Sequence, residues 1–150
     1  MNKHDLHCRE IAETLKKYAS GEYFLFDGEL YPIDSDDEFW NDSDSCCFGL
    51  DDDGYYYYYI DGEKIEESEV EAASLYDYFN IDIYNINYIL DSNKELEAVR
   101  VMIACGGPNI FIDTWDKEIQ LRWWSERGSW YLTTEMCDSI NTYFNEVYFG

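Results

Sequence analysis

Three side chains near the start of the chain, His4, His7 and Cys8, have the types and spacing that could begin a zinc site. A structural zinc site needs four ligands, and only Cys46 or Cys47 could complete this one. His4 and Cys8 also fall on the apolar stripe of a predicted helix, where they are better explained as core or near-surface side chains. We therefore predict no metal site and no cofactor.

Calcium is the other metal that so many carboxylates suggest. An EF-hand loop carries acids at positions 1, 3 and 5, glycine at 6 and glutamate at 12. Counting from Asp34, the sixth position is Phe39, and counting from Asp42 it is Cys47. Neither register fits, so we expect only weak, incidental association with divalent ions.

The sequence contains no recognisable set of catalytic groups. A cysteine or serine nucleophile needs an activating base, and the two histidines both lie in the first predicted helix. Cys105 and Cys137 fall at apolar positions where we expect burial. Residues 106–109 lack the lysine and the strand–loop–helix context of a phosphate-binding loop. Among 33 carboxylates no acid–base pair stands out. We predict that the protein is not an enzyme.

The dominant feature is negative charge concentrated in the middle of the chain. The net charge is -23, and residues 18–93 carry 21 Asp and Glu against one basic residue, Lys64, which accounts for -20 of it. Solubility of a small domain needs a net charge of only about 2 to 8. Because the excess destabilises the fold through self-repulsion, we expect it to serve binding.

The charge density is compatible with that of duplex DNA. At one charge per about 1.7 Å of helix axis, 20 charges correspond to about 34 Å of duplex. A compact domain of 150 residues has a radius of gyration of about 15 Å and a diameter of about 38 Å. Imitation of nucleic acid is therefore possible if the carboxylates share one face.

The elements that must position these acids indicate a single α+β domain over residues 1–150. An apolar stripe with helical spacing predicts a helix over residues 4–19, and an inward stripe of Ala72, Leu75, Tyr76 and Phe79 predicts a second from Glu66 to Phe79. A strand at Tyr23–Phe26 turns at Asp27-Gly28, and another at Tyr55–Ile60 turns at Asp61-Gly62. Residues 33–53, the acidic stretch, form either a long loop or a short surface helix.

The second half of the chain predicts an antiparallel meander. Apolar runs near 83–91, 96–104, 109–114, 118–124 and 129–132 are separated by short turns, the last at Arg127-Gly128. Thr133 or Thr134 then caps a final helix, with Met136, Ile140, Phe144 and Val147 facing the sheet. We expect an antiparallel sheet of four to six strands with an N-terminal, a central and a C-terminal helix packed on it.

The tyrosine run at residues 55–59 allows two interpretations. In a strand, Tyr55, Tyr57 and Tyr59 face one way and Tyr56 and Tyr58 the other. The simpler interpretation is a strand with amphipathic aromatics on both faces. The functional one is that exposed tyrosines beside acids dock arginines through cation–π contacts and hydrogen bonds.

The apolar stretches and the cysteines of the sequence indicate the cellular compartment of the protein. No apolar stretch approaches the roughly 18 residues of a membrane span, and the first residues lack the apolar core of a signal peptide. Five cysteines form an odd number without paired spacing, which is typical of reduced thiols. We expect a protein of the bacterial cytoplasm, without contact to membranes.

Parts of the second half resemble known proteins. The run Cys105-Gly106-Gly107-Pro108-Asn109-Ile110-Phe111-Ile112-Asp113-Thr114, Trp123-Trp124, the segment Met136–Ile140 and the helix end Leu75–Phe79 look like small acidic proteins carried by phages and mobile elements of gut bacteria. In size and acidity the chain is also similar to anti-defence proteins of phages, the anti-CRISPR and anti-restriction proteins that imitate DNA. That likeness is one of character and carries no residue roles.

Together these features predict a non-enzymatic inhibitor that occupies the nucleic-acid-binding surface of a nuclease, a CRISPR effector or a restriction enzyme, without binding nucleic acid itself. The alternative is an acidic regulatory protein of a mobile element that binds another basic host protein. The predicted contact set comprises acids of the middle segment and two tyrosines: Asp34, Asp36, Asp37, Glu38, Asp42, Asp44, Asp51, Asp52, Asp53, Tyr55, Tyr57, Glu66, Glu67, Glu69 and Glu71.

Overall fold

The fold is α+β, with antiparallel sheets and a helix near the start, the middle and the end of the chain. The computed structural model describes residues 1–32, 46–50, 56–60, 63–65 and 69–149; for residues 32, 46–50, 56–60, 63 and 64 it describes the backbone alone. The predicted fold class is confirmed. The chain divides into two compact units, Met1–Ala19 with Leu75–Gly150, and Ser20–Ser74. That these make up one domain stays a prediction.

The first unit combines three helices with a five-stranded sheet. Its elements are α1 (Lys3–Ala19), α2 (Leu75–Tyr78), β7 (Asn85–Leu90), β8 (Leu96–Ala104), β9 (Asn109–Asp113), β10 (Glu118–Trp123), β11 (Glu126–Tyr131), α3 (Thr134–Phe144) and a final π-helical turn, Asn145–Phe149. The strands lie in the order β11-β10-β9-β8-β7, and every neighbouring pair is antiparallel. The predicted meander is therefore confirmed, because short turns join strands that are also neighbours in space.

Alternation along the strands gives this sheet one apolar face. In the middle of β8, and on β9 and β10, side chains two residues apart are buried in one core with side chains of α1 and α3, and β9 is also buried on its other face, at Phe111 and Asp113. Cys8 and Leu15 of α1 are inaccessible to solvent, as are Ile140 and Phe144 of α3. The strand members of this core are Val99, Val101, Ile110, Ile112, Ile119 and Leu121.

The last strand differs from its prediction. β11 begins at Glu126, which faces Trp123, so the turn lies at Trp124-Ser125 and not at Arg127-Gly128. Gly128 is buried in the middle of β11, opposite Leu121. A Cβ atom there would collide with the backbone of His4, because the start of α1 crosses the strand at this point. This glycine is thus required for close packing rather than for a turn.

The C-terminal helix follows its prediction except at its end. Thr133 caps it, its hydroxyl accepting a hydrogen bond from the Met136 amide at 3.2 Å. Met136, Ile140 and Phe144 are buried as expected. Val147 is 42% exposed, because the chain widens into the π-helical turn after Phe144 and shifts the helical phase.

The second unit contains two three-stranded sheets. Its strands are β1 (Tyr23–Phe26), β2 (Glu29–Pro32), β3 (Cys46–Leu50), β4 (Tyr56–Ile60), β5 (Glu63–Ile65) and β6 (Glu71–Ala72), in the orders β2-β1-β6 and β3-β4-β5. Phe24 and Ile65 are buried, and Phe26, Tyr31 and Val70 pack against them.

Two predictions for this unit are wrong in part. Residues 46–50 of the acidic stretch form a strand instead of loop or helix, because their apolar run pairs with the tyrosine strand β4. The predicted helix from Glu66 begins only at Leu75, since β6 pairs with β1. Ala72 and Tyr76 are accordingly exposed, whereas Leu75 and Phe79 are buried as predicted. The predicted turn at Asp61-Gly62 lies outside the described residues.

No helix in the described part of the chain combines the length and the apolar character that crossing a membrane requires.

The close approach of α1 to β11 makes a testable prediction. Gly128→Ala should lower the free energy of unfolding by about 1–3 kcal/mol, because the new methyl group must displace the backbone at His4. Urea denaturation measures this change at an unaltered m-value. Gly107→Ala is the control: its Cβ would lie 3.6 Å from the Trp123 side chain, an ordinary contact, so we expect a change within about 0.5 kcal/mol. Equal effects of the two changes would contradict the packing account.

Candidate functional site

The boundary between the two structural units is also a boundary in charge. Residues 20–74 contain 18 carboxylates and one basic residue, Lys64, which leaves a net charge of -17 on 55 residues. The remaining 95 residues carry 15 carboxylates and nine basic residues, a net charge of -6. The acid-rich segment of the sequence is therefore one compact structural unit, which we call the acidic unit.

A tight hairpin positions the first acids of the acidic unit. Phe26 faces Glu29 across β1 and β2, so Asp27 and Gly28 alone form the loop. Both have positive φ, +51° and +78°, as a type I′ hairpin turn requires. The predicted turn is thereby confirmed, and it holds the exposed carboxylate of Asp27 at the tip of the hairpin.

Two acids of the predicted contact set lie at the edge of β1 that faces away from β2. Glu71 lies on β6 directly opposite Leu25, and Glu69 precedes it by two residues. Both side chains are exposed. Together with Asp27 they line a groove of about 260 Å³, whose remaining walls are Leu25, Gly28 and Val70. Three exposed carboxylates thus surround one partly apolar depression.

The alternation of β1 explains why the acids point outward. Phe24 is 2% exposed and packs beside Tyr31 with ring centroids 6.2 Å apart, whereas Leu25 points to the opposite face, where the groove lies. Glu22 and Glu29 are exposed too, and the Tyr31 hydroxyl donates a hydrogen bond of 2.9 Å to Glu29. Every carboxylate that the structure describes in the acidic unit is exposed.

This arrangement suits the docking of basic side chains. A carboxylate accepts paired hydrogen bonds from a guanidinium group, and several carboxylates around one depression surround such a group with acceptors. The half-buried Leu25 and Val70 offer apolar surface to the methylene stem of an arginine or lysine. The groove can therefore bind both the charged head and the apolar stem of one basic side chain.

Two carboxylates of the first unit, those of Asp113 and Glu13, bond within the unit itself. Asp113 is 5% exposed; its Oδ2 lies 3.5 Å from Nε of Arg100, and its Oδ1 accepts hydrogen bonds from the amides of Trp115 and Asp116. Glu13 pairs with Arg9 one helical turn away at 2.9 Å. These acids stabilise the fold of the first unit.

Only part of the predicted contact set can be located. Glu69 and Glu71 are exposed and lie together, but Glu71 lies on a strand and not on a helix. Tyr57 lies on β4 opposite Gly49, and its side chain is outside the description. The other members lie outside the described residues: Asp34, Asp36, Asp37, Glu38, Asp42, Asp44, Asp51, Asp52, Asp53, Tyr55, Glu66 and Glu67.

One member of the groove was missing from the predicted set. The sequence predicts Asp27 in a turn and not in a binding surface, although an Asp-Gly pair indicates an exposed hairpin tip. Its proximity to Glu69 and Glu71 follows from the pairing of β6 with β1. The helix predicted from Glu66 to Phe79 includes the residues of β6 and is incompatible with that pairing.

Of the metal and nucleophile candidates, Cys8 and Cys137 lie in the core of the first unit, His4 is half-buried and His7 is exposed. Cys8 is fully buried, and burial raises the pKa of its thiol to about 11, opposite to the shift that activates a nucleophile. Burial likewise raises the pKa of Cys137, whereas Cys105 is exposed, contrary to prediction, because it follows the last residue of β8. Within the described ranges, no three His, Cys, Asp or Glu side chains converge as metal ligands would.

No protein family, curated protein or solved structure matches this chain.

Proposed function

We propose that this protein is a non-enzymatic inhibitor that acts in the bacterial cytoplasm and binds the nucleic-acid-binding surface of a nuclease, such as a CRISPR effector or a restriction enzyme. The observation that carries the proposal is the net charge of -17 confined to one 55-residue unit. The basic surface with which a nuclease binds phosphates would bind these carboxylates in their place.

The charge of this unit agrees in density with a short stretch of nucleic acid. Seventeen charges at about 1.7 Å each correspond to about 29 Å of duplex. A compact unit of 55 residues has a radius of gyration of about 10 Å and hence a diameter of about 26 Å. The acidic unit carries more net charge per residue than the chain as a whole, because most of the neutralising lysines and arginines belong to the first unit.

The groove lined by Asp27, Glu69 and Glu71 supports the proposal at the level of single contacts. Its three carboxylates are exposed, and its apolar wall favours side chains that carry a positive charge on a long stem. The remaining predicted acids, Asp34 to Glu67, and the tyrosines Tyr55 and Tyr57 would extend this contact. Opposite charge would make association fast and sensitive to salt.

The first test removes charge at the groove. The triple change Asp27→Asn, Glu69→Lys and Glu71→Lys alters the net charge by five and should weaken binding to the captured nuclease by on the order of tenfold or more, mainly through slower association. The measurement is capture of partners from bacterial lysate on the immobilised protein, followed by cleavage assays with the nuclease that is captured. Asp27 is changed to Asn because that residue tolerates positive φ.

A matched control carries the same change of charge on the first unit: Glu10→Lys, Glu97→Lys and Asp138→Asn, all at exposed positions. This variant should inhibit almost as well as the wild type. Equal losses in both variants would mean that net charge alone matters, and the acidic unit would lose its special role. A further variant with Asp36, Asp37, Asp42 and Asp44 changed to Lys should abolish inhibition while the circular dichroism spectrum is retained.

Competition distinguishes a nucleic-acid mimic from the alternative of a regulatory protein. Short duplex DNA, or the guide RNA of a CRISPR effector, should displace the inhibitor from its target, because both would occupy the same basic surface. Fluorescence anisotropy of the labelled protein follows the displacement at low and at physiological salt. A captured partner that releases the protein in salt but not in excess nucleic acid would contradict mimicry and favour a different basic host protein.

A further inference from the structure

The two edge strands of the five-stranded sheet, β11 and β7, differ in the hydrogen bonding of their outward backbone groups. At the β11 edge, the Ser129 amide donates a hydrogen bond of 2.9 Å to Oδ1 of Asp5. The Arg127 carbonyl accepts one of 3.2 Å from the side-chain amide of Asn2. The start of α1 therefore satisfies two outward backbone groups of this edge strand and lies where another strand would have to pair.

The β7 edge has outward groups as well, and the hydrogen bonds of β8 identify them. Val99 bonds toward β9 with both backbone groups: its amide donates to the Thr114 hydroxyl and its carbonyl accepts from the Thr114 amide, each at 2.9 Å. Backbone groups in an antiparallel strand point alternately to its two neighbours. On β7, Tyr88 faces Val99 and Ile86 faces Val101 of β8. The N–H and C=O groups of these two β7 residues therefore point away from the sheet.

Those outward groups have no hydrogen-bond partner among the residues that the structure describes. The strand also lacks two of the features that protect an edge, charge and proline. Residues 83–90 contain no charged residue and no proline, although 29% of the chain is charged. Three nearby side chains are exposed and apolar or aromatic: Tyr84 by 55%, Tyr88 by 37% and Leu90 by 42%. Edge strands of this kind template pairing with another chain.

We propose that β7 pairs antiparallel with β7 of a second copy of this chain, so that two five-stranded sheets become one sheet of ten strands. Centred on Asn87, the pairing sets Ile86 opposite Tyr88 of the second copy, and the reverse, so that the outward groups of both residues form hydrogen bonds. The interface is isologous, because the same strand serves both copies. It is independent of the function proposed for the acidic unit.

Charge favours a second copy as the occupant. A two-fold axis places a residue beside its own counterpart, so an acidic surface on the axis would repel itself. With a net charge of -23, this chain has few surfaces that could lie on such an axis without repulsion. The uncharged β7 edge is one of them. Tyr88 packs beside Phe149 with ring centroids 5.4 Å apart, which adds a second aromatic side chain to this uncharged surface.

Sedimentation equilibrium of the full chain tests the state of association. At concentrations on the order of 0.1 mM and at physiological salt, which screens repulsion between the copies, we expect a mass of twice 17.8 kDa. A mass of one chain at this concentration would overturn the proposal. Assembly only in the presence of a captured nuclease would overturn it too, since the edge would then serve a different protein.

Hydrogen exchange identifies the interface without any substitution. The amides of Ile86 and Tyr88 should exchange slowly at high protein concentration and quickly on dilution, while those of Asn85 and Asn87, which bond within the sheet, stay protected at both. A dimer in which Ile86 and Tyr88 exchange quickly would place the contact elsewhere and overturn the proposal.

Substitution at the axis gives the matched comparison. Asn87→Lys sets two lysines opposite each other and should raise the dimer dissociation constant by on the order of tenfold. Asn93→Lys makes the same change of charge in the turn between β7 and β8 and should leave the dimer intact. Tyr88→Pro removes an outward N–H group together with the ring beside Phe149, and should abolish the dimer while the circular dichroism spectrum is retained. Dimers of equal strength in all three variants would contradict pairing through β7.

Discussion

The structure of the first unit depends on burial of one face of its five-stranded sheet beneath α1 and α3. Val99, Ile112 and Ile119 are inaccessible to solvent, as are Leu15 of α1 and Phe144 of α3. Each such side chain contributes about 1.5–3 kcal/mol when it leaves water. The start of α1 crosses β11 so closely that residue 128 must lack a side chain. The position of α1 in turn brings Asn2 and Asp5 against the outer edge of the same strand.

This core must hold a chain that repels itself. Two charges 4 Å apart interact in water by about 1 kcal/mol, and at physiological salt the interaction fades beyond about 8 Å. Repulsion per pair is thus smaller than the contribution of one buried side chain. Residues 20–74 carry -17 of the net charge and more than half of the acids. The large core is formed by residues 1–19 and 75–149, so most of the acids are separated from it in sequence. The acidic unit, whose described core consists of Phe24 and Ile65 with three partly buried neighbours, carries the greater electrostatic cost.

Periodicity predicted the first unit well, because its strands and helices follow regular apolar spacing. The five strands, their antiparallel order and the buried side of α3 were all accessible from the sequence. The predicted turn at Gly128 is wrong, because a glycine needed for helix-on-strand contact looks the same in sequence as one needed for positive φ. Val147 was misassigned because the π-helical turn interrupts the 3.6-residue period.

The acidic unit was predicted less well, for a physical reason. Glu69 and Glu71 precede a helix of only four residues, and their local preference for helix was overridden by pairing of β6 with β1. Pairing between residues almost 50 positions apart leaves no trace in local spacing. The exposure of these acids was predictable from their charge, whereas the groove that unites them with Asp27 depends on that long-range pairing.

The hydrogen bonds that Asp5 accepts give the molecule a vulnerability to acid. The Ser129 amide, and after it the Asn2 amide, hold the pKa of Asp5 below its ordinary value. The stabilisation is thus present at neutral pH and disappears as the pH falls through the lowered pKa. Around the sequence pI of about 4.1 the net charge disappears, and with it the repulsion between molecules. Because the lowered pKa of Asp5 lies below this pI, acidification removes the net charge first and weakens the contact between the start of α1 and β11 only at lower pH.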